Sequence, residues 1–137
     1  MKFAYPYTIA AQDDGQLLVQ FNDLEEAFTE GQSPEEAAFN AAEVLSGVLA
    51  VRLESHEDIP LPSTAPGLPL AVPSASVQSA LLVHFARGTQ SLADLARIME
   101  TSWPTAARLE NPAHWPTLRQ LDKAVRSMGR KLVLTIE

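Results

Sequence analysis

The segment SLADLARIMETSWPTAARLEN, residues 91–111, sets two short capped helices on either side of a turn of about three residues. That spacing is the helix-turn-helix arrangement, in which one helix braces while the next offers its N-terminal side chains to base edges. Ser91 with Asp94, and then Ser102, are hydroxyl caps that open the two helices. Leu95, Ala96, Ile98 or Met99, Ala106 and Leu109 supply the inward side, and the small Ala96 and Ala106 permit a close crossing. Ser102, Trp103, Thr105, Ala107 and Arg108 are then expected on or near the outward face, within reach of bases and phosphates. Arg97, Arg119 and Lys123, with His114 just past the second helix, add capacity for phosphate contact.

The acidic residues invite a different chemistry. Metal-assisted phosphodiester hydrolysis needs several carboxylates converging on two ions about 4 Å apart. Asp13 and Asp14 fall in a turn, Asp23, Glu25 and Glu26 precede a short strand, and Glu35, Glu36 and Glu43 lie on the exposed or capping side of a helix. Solvated charge and helix-dipole partners account for them better, so no catalytic role is expected. There is no cysteine, and His56, His84 and His114 lack metal-ligand spacing, so neither a metal nor another cofactor is implied. His84 reads as structural or surface, and Trp115, before Pro116, as packing.

Charge divides the chain near residue 73. Residues 1–73 hold twelve acidic residues against Lys2 and Arg52, a net of −10, whereas residues 74–137 hold eight basic and five acidic residues, a net of +3. An acidic surface repels nucleic acid and attracts basic partners. Two small domains, 1–73 and 74–137, are therefore expected, each with a modest core that gains from self-association. Met1 to Ile9 has no basic stretch followed by an apolar run, and no segment approaches the ~18 apolar residues of a membrane span, which reads as a soluble, cytoplasmic protein with no membrane partner.

The elements follow from periodicity. Phe3, Tyr5, Tyr7 and Ile9 alternate as one face of a strand, Asp14-Gly15 marks a hairpin turn, and Leu17, Val19 and Phe21 alternate again. A short strand near 27–30 precedes Ser33-Pro34-Glu35-Glu36, which opens a helix to about Leu53 with the stripe Ala37, Ala41, Leu45, Val48 and Leu49. Residues 54–67 read as a loop, and Leu68, Leu70 and Val72 as an edge strand. The second half reads as four helices, with Thr117 and Gln120 opening the last, then a strand over 131–137. A lone terminal strand needs a partner, so Leu132, Leu134 and Ile136 are expected to pair with a second copy as a dimer, with further pairing into tetramers left open. The fold class is thus α+β: a β-β-β-α-β domain, then an all-α domain ending in a short strand.

The string Leu95-Ala96…Ser102…Ala106…Arg108-Leu109-Glu110-Asn111 resembles the Cro and lambda-repressor type of helix-turn-helix, departing at Glu100, where that family has Gly, and at Trp103-Pro104. VQFNDLEEAFTEGQSPEEAAFNAAEVL resembles the HicB antitoxins through Asp23, Leu24, Thr29, Gly31, Glu36 and Ala37, with Asn22 and Glu25-Glu26 departing from the usual prolines and glycine. The closing SMGRKLVLTI is also similar to one HicB subtype. The resemblance implies a reduced RNase H-like N-terminal domain that covers a small basic ribonuclease, the HicA toxin. On this reading Asp13, Asp14, Asp23, Glu26 and Glu30 face the toxin, and the C-terminal domain binds operator DNA and represses the operon. The alternative is a ligand-sensing transcriptional regulator without a toxin partner.

Overall fold

In the computed structural model, which describes residues 1–137, the chain forms two compact units, Met1–Ser74 and Ala75–Glu137. The first holds β1 (Tyr5–Ala11), β2 (Leu17–Phe21), β3 (Phe28–Gly31), α1 (Pro34–Glu54) and β4 (Leu70–Ala71). All strand pairs are antiparallel, in the order β3-β2-β1-β4. Tyr7 opposes Phe21, their rings 5.4 Å apart, and Ile9 opposes Val19. Tyr5, Tyr7, Val19 and Phe21 are buried together as expected, but Ile9 is 39% exposed. At the β1–β2 turn Gly15 has φ +84°, a conformation open to glycine at little cost, and its N–H donates to Gln12 O at 3.1 Å.

Ser33 Oγ accepts from Glu36 N at 3.1 Å, so α1 starts where its cap dictates. The Glu36 carboxylate accepts from Gln32 N rather than from the cap residue itself, a shifted form of the expected box. The buried row is Ala37, Ala41, Leu45, Leu49 and Leu53, a single ridge at four-residue spacing; Val48 is only half-buried. Gly31 is where helix and sheet meet most closely: a Cβ there would stand 2.5 Å from Ala37 N and 2.7 Å from Ala37 Cα.

The fourth strand shrinks to two residues, Leu70 and Ala71, opposite Pro6 and Tyr5. Pro69 lacks an N–H and Pro73 follows closely, so the ladder cannot extend. Ala71 turns inward while Leu70 and Val72 face out. The loop before it is tied down by the Tyr5 hydroxyl, which donates to Pro60 O at 2.8 Å, and by Asp23, which accepts from Ser63 N at 2.9 Å.

The second unit holds α2 (Ala75–Arg87), α3 (Leu92–Ile98), α4 (Trp103–Arg108) and α5 (Leu118–Ser127). Val83, Leu95, Ala96, Met99, Ala106, Leu109, Leu121, Ala124 and Val125 form its core. Capping boxes form at Ser91/Asp94 and Thr117/Gln120, and Gly129 ends α5 with φ +74°. The expected strand over 131–137 is absent. A single extended segment has no neighbour for its N–H and C=O groups, so alternation alone cannot make it a strand. Leu132 packs half-buried against its own core, while Val133, Leu134 and Ile136 are exposed.

Candidate functional site

In the second unit, α3 ends in a left-handed residue. Glu100 has φ +54°, its N–H donates to Arg97 O at 3.1 Å, and Thr101 N donates to Ala96 O at 2.9 Å. These two bonds are the Schellman closure, in which the residue after the cap prefers glycine. The departure at Glu100 therefore leaves the turn intact and adds local strain. Ser102 Oγ then accepts from Thr105 N at 3.3 Å and shares a 2.8 Å hydrogen bond with Thr105 Oγ1, opening α4. Met99, not Ile98, is the inward residue.

The outward residues are a mixed group. Trp103 is 54% exposed, and Arg108 is exposed with no ion-pair partner. Ser102 is exposed but its hydroxyl is engaged with Thr105, and Thr105, Ala107 and His114 are half-buried. Arg97 is exposed yet holds Asp94 at 3.0 Å. Trp115, expected to pack, is 69% exposed. It follows a tight turn in which Asn111 Oδ1 accepts from Ala113 N, leaving the ring outside the core.

One residue escaped the sequence reading as a functional element. Glu110, just past α4, is the centre of a clamp onto α2: Arg87 Nε and Nη2 donate to its two oxygens at 2.6 and 2.9 Å, and His84 Nδ1 lies 3.1 Å from Oε1. Its side chain is 10% exposed. Burial pushes the Glu110 pKa up, but hydrogen bonds from His84 and Arg87, together with the Arg87 charge, outweigh burial and hold it below the usual carboxylate range. Glu110 and Arg87 are 23 residues apart, too far for any local spacing to signal the pair.

The five carboxylates expected to face a toxin are scattered through the first unit. Asp13 and Asp14 sit at the hairpin tip, where Asp14 accepts from Gln16 N at 2.9 Å. Asp23 is occupied by Ser63, and Glu26 by Arg52 through two 2.8 Å bonds. That hydrogen bond and the guanidinium charge lower the Glu26 pKa. Arg52 is also bound to Asp58 O, so one of the unit's two cations is spent internally. Glu30 lies on the opposite face of the sheet from α1, opposing Leu18. What the fold does assemble is a stripe on the outer side of α1. Glu36, Glu43 and Glu54 project within about 20° of one another around the helix. Exposed Phe39 lies beside them, and the bare Gly47 opens a gap in the row. The spacing of 7 and 11 residues between these glutamates was the available signal. No three His, Asp or Glu side chains stand close enough to share a metal ion, and no helix is long and apolar enough to cross a membrane.

Comparison with known proteins gives this geometry a context. Residues 4–72 match the family described as the HicB-like antitoxin of bacterial toxin-antitoxin systems. The chain is 28% identical to Antitoxin HicB 1 of Photorhabdus laumondii over 134 residues, 97% of this chain and 86% of that one. It is 29% identical to Antitoxin HicB of Escherichia coli K12 over 138 residues, 96% and 98% of the two chains. Antitoxin HicB 2 of Photorhabdus laumondii is likewise 29% identical, over 95% of this chain. On the match across residues 4–72, with relatives aligned along nearly the whole length, the chain belongs to the HicB-like antitoxin family of bacterial toxin-antitoxin systems.

Proposed function

We propose that the first unit binds and inhibits a small basic HicA-type ribonuclease, and that the second unit, as a dimer, binds operator DNA and represses the operon encoding the pair. The observation that carries the reading is the likeness to HicB antitoxins along at least 95% of the chain, across both the acidic and the basic unit. The β-β-β-α-β order of the first unit is compatible with a reduced RNase H-like fold. Its net charge of −10 suits a basic, RNA-binding partner, and the glutamate stripe of α1 is the surface where that charge is least neutralised from within.

In the second unit α3 and α4 act as the helix-turn-helix. Trp103 and Arg108 contact bases and phosphates, with Ser102, Thr105 and Ala107 shaping the helix start and Arg97 and His114 at the flanks. Dimerisation draws on the exposed Leu134 and Ile136, which gain a strand partner only when a second copy supplies one. The acidic residues take no catalytic part.

The test is co-expression with the short basic reading frame encoded alongside. The two proteins should copurify and RNA cleavage by the partner should stop on binding. Glu43→Lys combined with Glu54→Lys should weaken the complex by roughly 1 to 3 kcal/mol through like-charge contact. If the double variant inhibits as well as the parent, α1 does not face the toxin.

A further inference from the structure

We infer that the outward face of α4 reads thymine in the major groove, and that Trp103 is its specificity-determining residue, packing on the thymine 5-methyl group. The inference rests on the proposed operator binding and adds which base the helix selects. On α4 and its C-cap, Ala106 and Leu109 are the buried residues. At about 100° per residue the opposite side is made of Trp103, Ala107, Pro104 and Arg108, spread over about 140°. Trp103, Pro104 and Arg108 are exposed and Ala107 is half-buried.

What this face lacks limits what it can read. It carries no carboxylate, carboxamide or hydroxyl, and Pro104 brings no N–H. The two hydroxyls at the helix start lie to its side and are bound to one another, Ser102 Oγ and Thr105 Oγ1 standing 2.8 Å apart, while Ser102 Oγ also accepts from Thr105 N. Two groups remain that can mark a base: the indole of Trp103, 54% exposed, and the Arg108 guanidinium, which has no ion-pair partner. The indole is also well placed, because a serine cap and a proline in the first turn fix the backbone that carries it.

The base edges then select. In the major groove adenine and cytosine each present an amine donor, guanine presents two acceptors, and thymine presents the O4 acceptor beside its 5-methyl group. An indole offers one N–H donor on an apolar ring and no acceptor. Opposite adenine or cytosine it leaves the amine without a partner. Guanine has no methyl to cover the ring, and its paired acceptors suit the fork of Arg108 better. Thymine matches the indole on both counts. Ala107, about 6 Å further along the axis and about 40° round from Trp103, extends the apolar strip towards a second methyl.

The promoter DNA upstream of the operon, amplified with dTTP or with dUTP, tests this, since the two duplexes differ in their 5-methyl groups alone. In a mobility-shift titration the full chain should prefer the thymine duplex about fourfold for each methyl contacted, the affinity equivalent of one buried methylene at about 0.8 kcal/mol. A dimer on two half-sites should show about 16-fold. Trp103→Ala should bind both duplexes alike, and Trp103→Phe, which keeps an apolar ring, should retain most of the preference. Arg108→Ala should weaken binding to both and leave their ratio unchanged. The remaining Trp115 fluorescence should report unchanged melting in the Trp103 variants, so that lost discrimination is separate from unfolding. Equal binding of the two duplexes by the parent overturns the inference and leaves operator binding in place. So does a thymine preference that persists in Trp103→Ala, which would assign it to duplex shape or to another residue. Failure of the parent to bind either duplex overturns operator binding itself, and this inference with it.

Discussion

Replacing Glu110 by Gln should destabilise the second unit while leaving the first unit's melting intact. The carboxylate receives two hydrogen bonds from Arg87 and one contact from His84. Gln keeps the shape but puts an NH₂ where one oxygen accepted, so whichever way the amide turns, a donor faces an Arg87 N–H. One bond is lost and the other loses its anionic acceptor. With charge-assisted bonds worth about 1.5 to 3 kcal/mol and neutral ones about 0.5 to 1.5, the loss is about 2.5 to 4.5 kcal/mol. For a unit spanning Ala75–Glu137 this lowers Tm by at least about 10 °C. The assay is selective, because Trp103 and Trp115 both lie in the second unit and Tyr5 and Tyr7 both lie in the first. Tryptophan fluorescence should show the shifted transition while the tyrosine signal keeps its midpoint. Acid adds a second readout. The folded pKa of Glu110 is depressed, so its contribution is present above the ordinary unfolded value of about 4.3 and is lost as pH falls through the folded value. The Gln variant should lack that component of acid destabilisation. A shift below about 0.5 kcal/mol would refute the clamp, as would a double-mutant cycle with Arg87→Met showing no coupling.

The first unit yields a steric test: Gly31→Ala should cost about 2 to 3 kcal/mol in denaturant titration, because its Cβ meets the backbone of Ala37 at 2.5 Å and the helix must shift. Glu100→Gly should raise stability by about 0.5 to 1 kcal/mol by relieving φ +54°, and a loss would show that the Glu100 side chain contributes something its geometry does not reveal. The Tyr5 pKa is pushed up to about 12, first by burial and then by the Asp23 charge, against an opposing effect of Arg52. A raised folded value means full stability below pH 10 and loss above it, so alkaline titration should find roughly 2 to 3 kcal/mol disappearing between pH 10 and 12, abolished in Tyr5→Phe. Arg108→Ala should weaken operator binding by about 1 to 3 kcal/mol in a mobility-shift titration with toxin inhibition intact; loss of inhibition instead would reverse the roles of the two units.

Local chemistry by itself determined much of this protein. Ser33, Ser91, Ser102 and Thr117 each start a helix because a hydroxyl beside an N-terminal turn satisfies an N–H that has no other partner. Alternation identified β1 and β2, and the partition of charge along the chain pointed to a basic and an acidic partner before any contact was known. The tertiary structure decided what depends on residues far apart in the chain. Lys131–Glu137 alternates like a strand yet forms none, since a ladder needs a second strand that the chain does not place beside it. Asp23 and Glu26 looked available but are occupied by Ser63 and Arg52, 40 and 26 residues further along the chain. Glu110 became the anchor of α4 because folding brought Arg87 to it from 23 residues away. Caps and periodicity are satisfied within a few residues and can be read in one dimension, whereas burial, ion pairing and the identity of an exposed face are set by whichever distant segment arrives alongside.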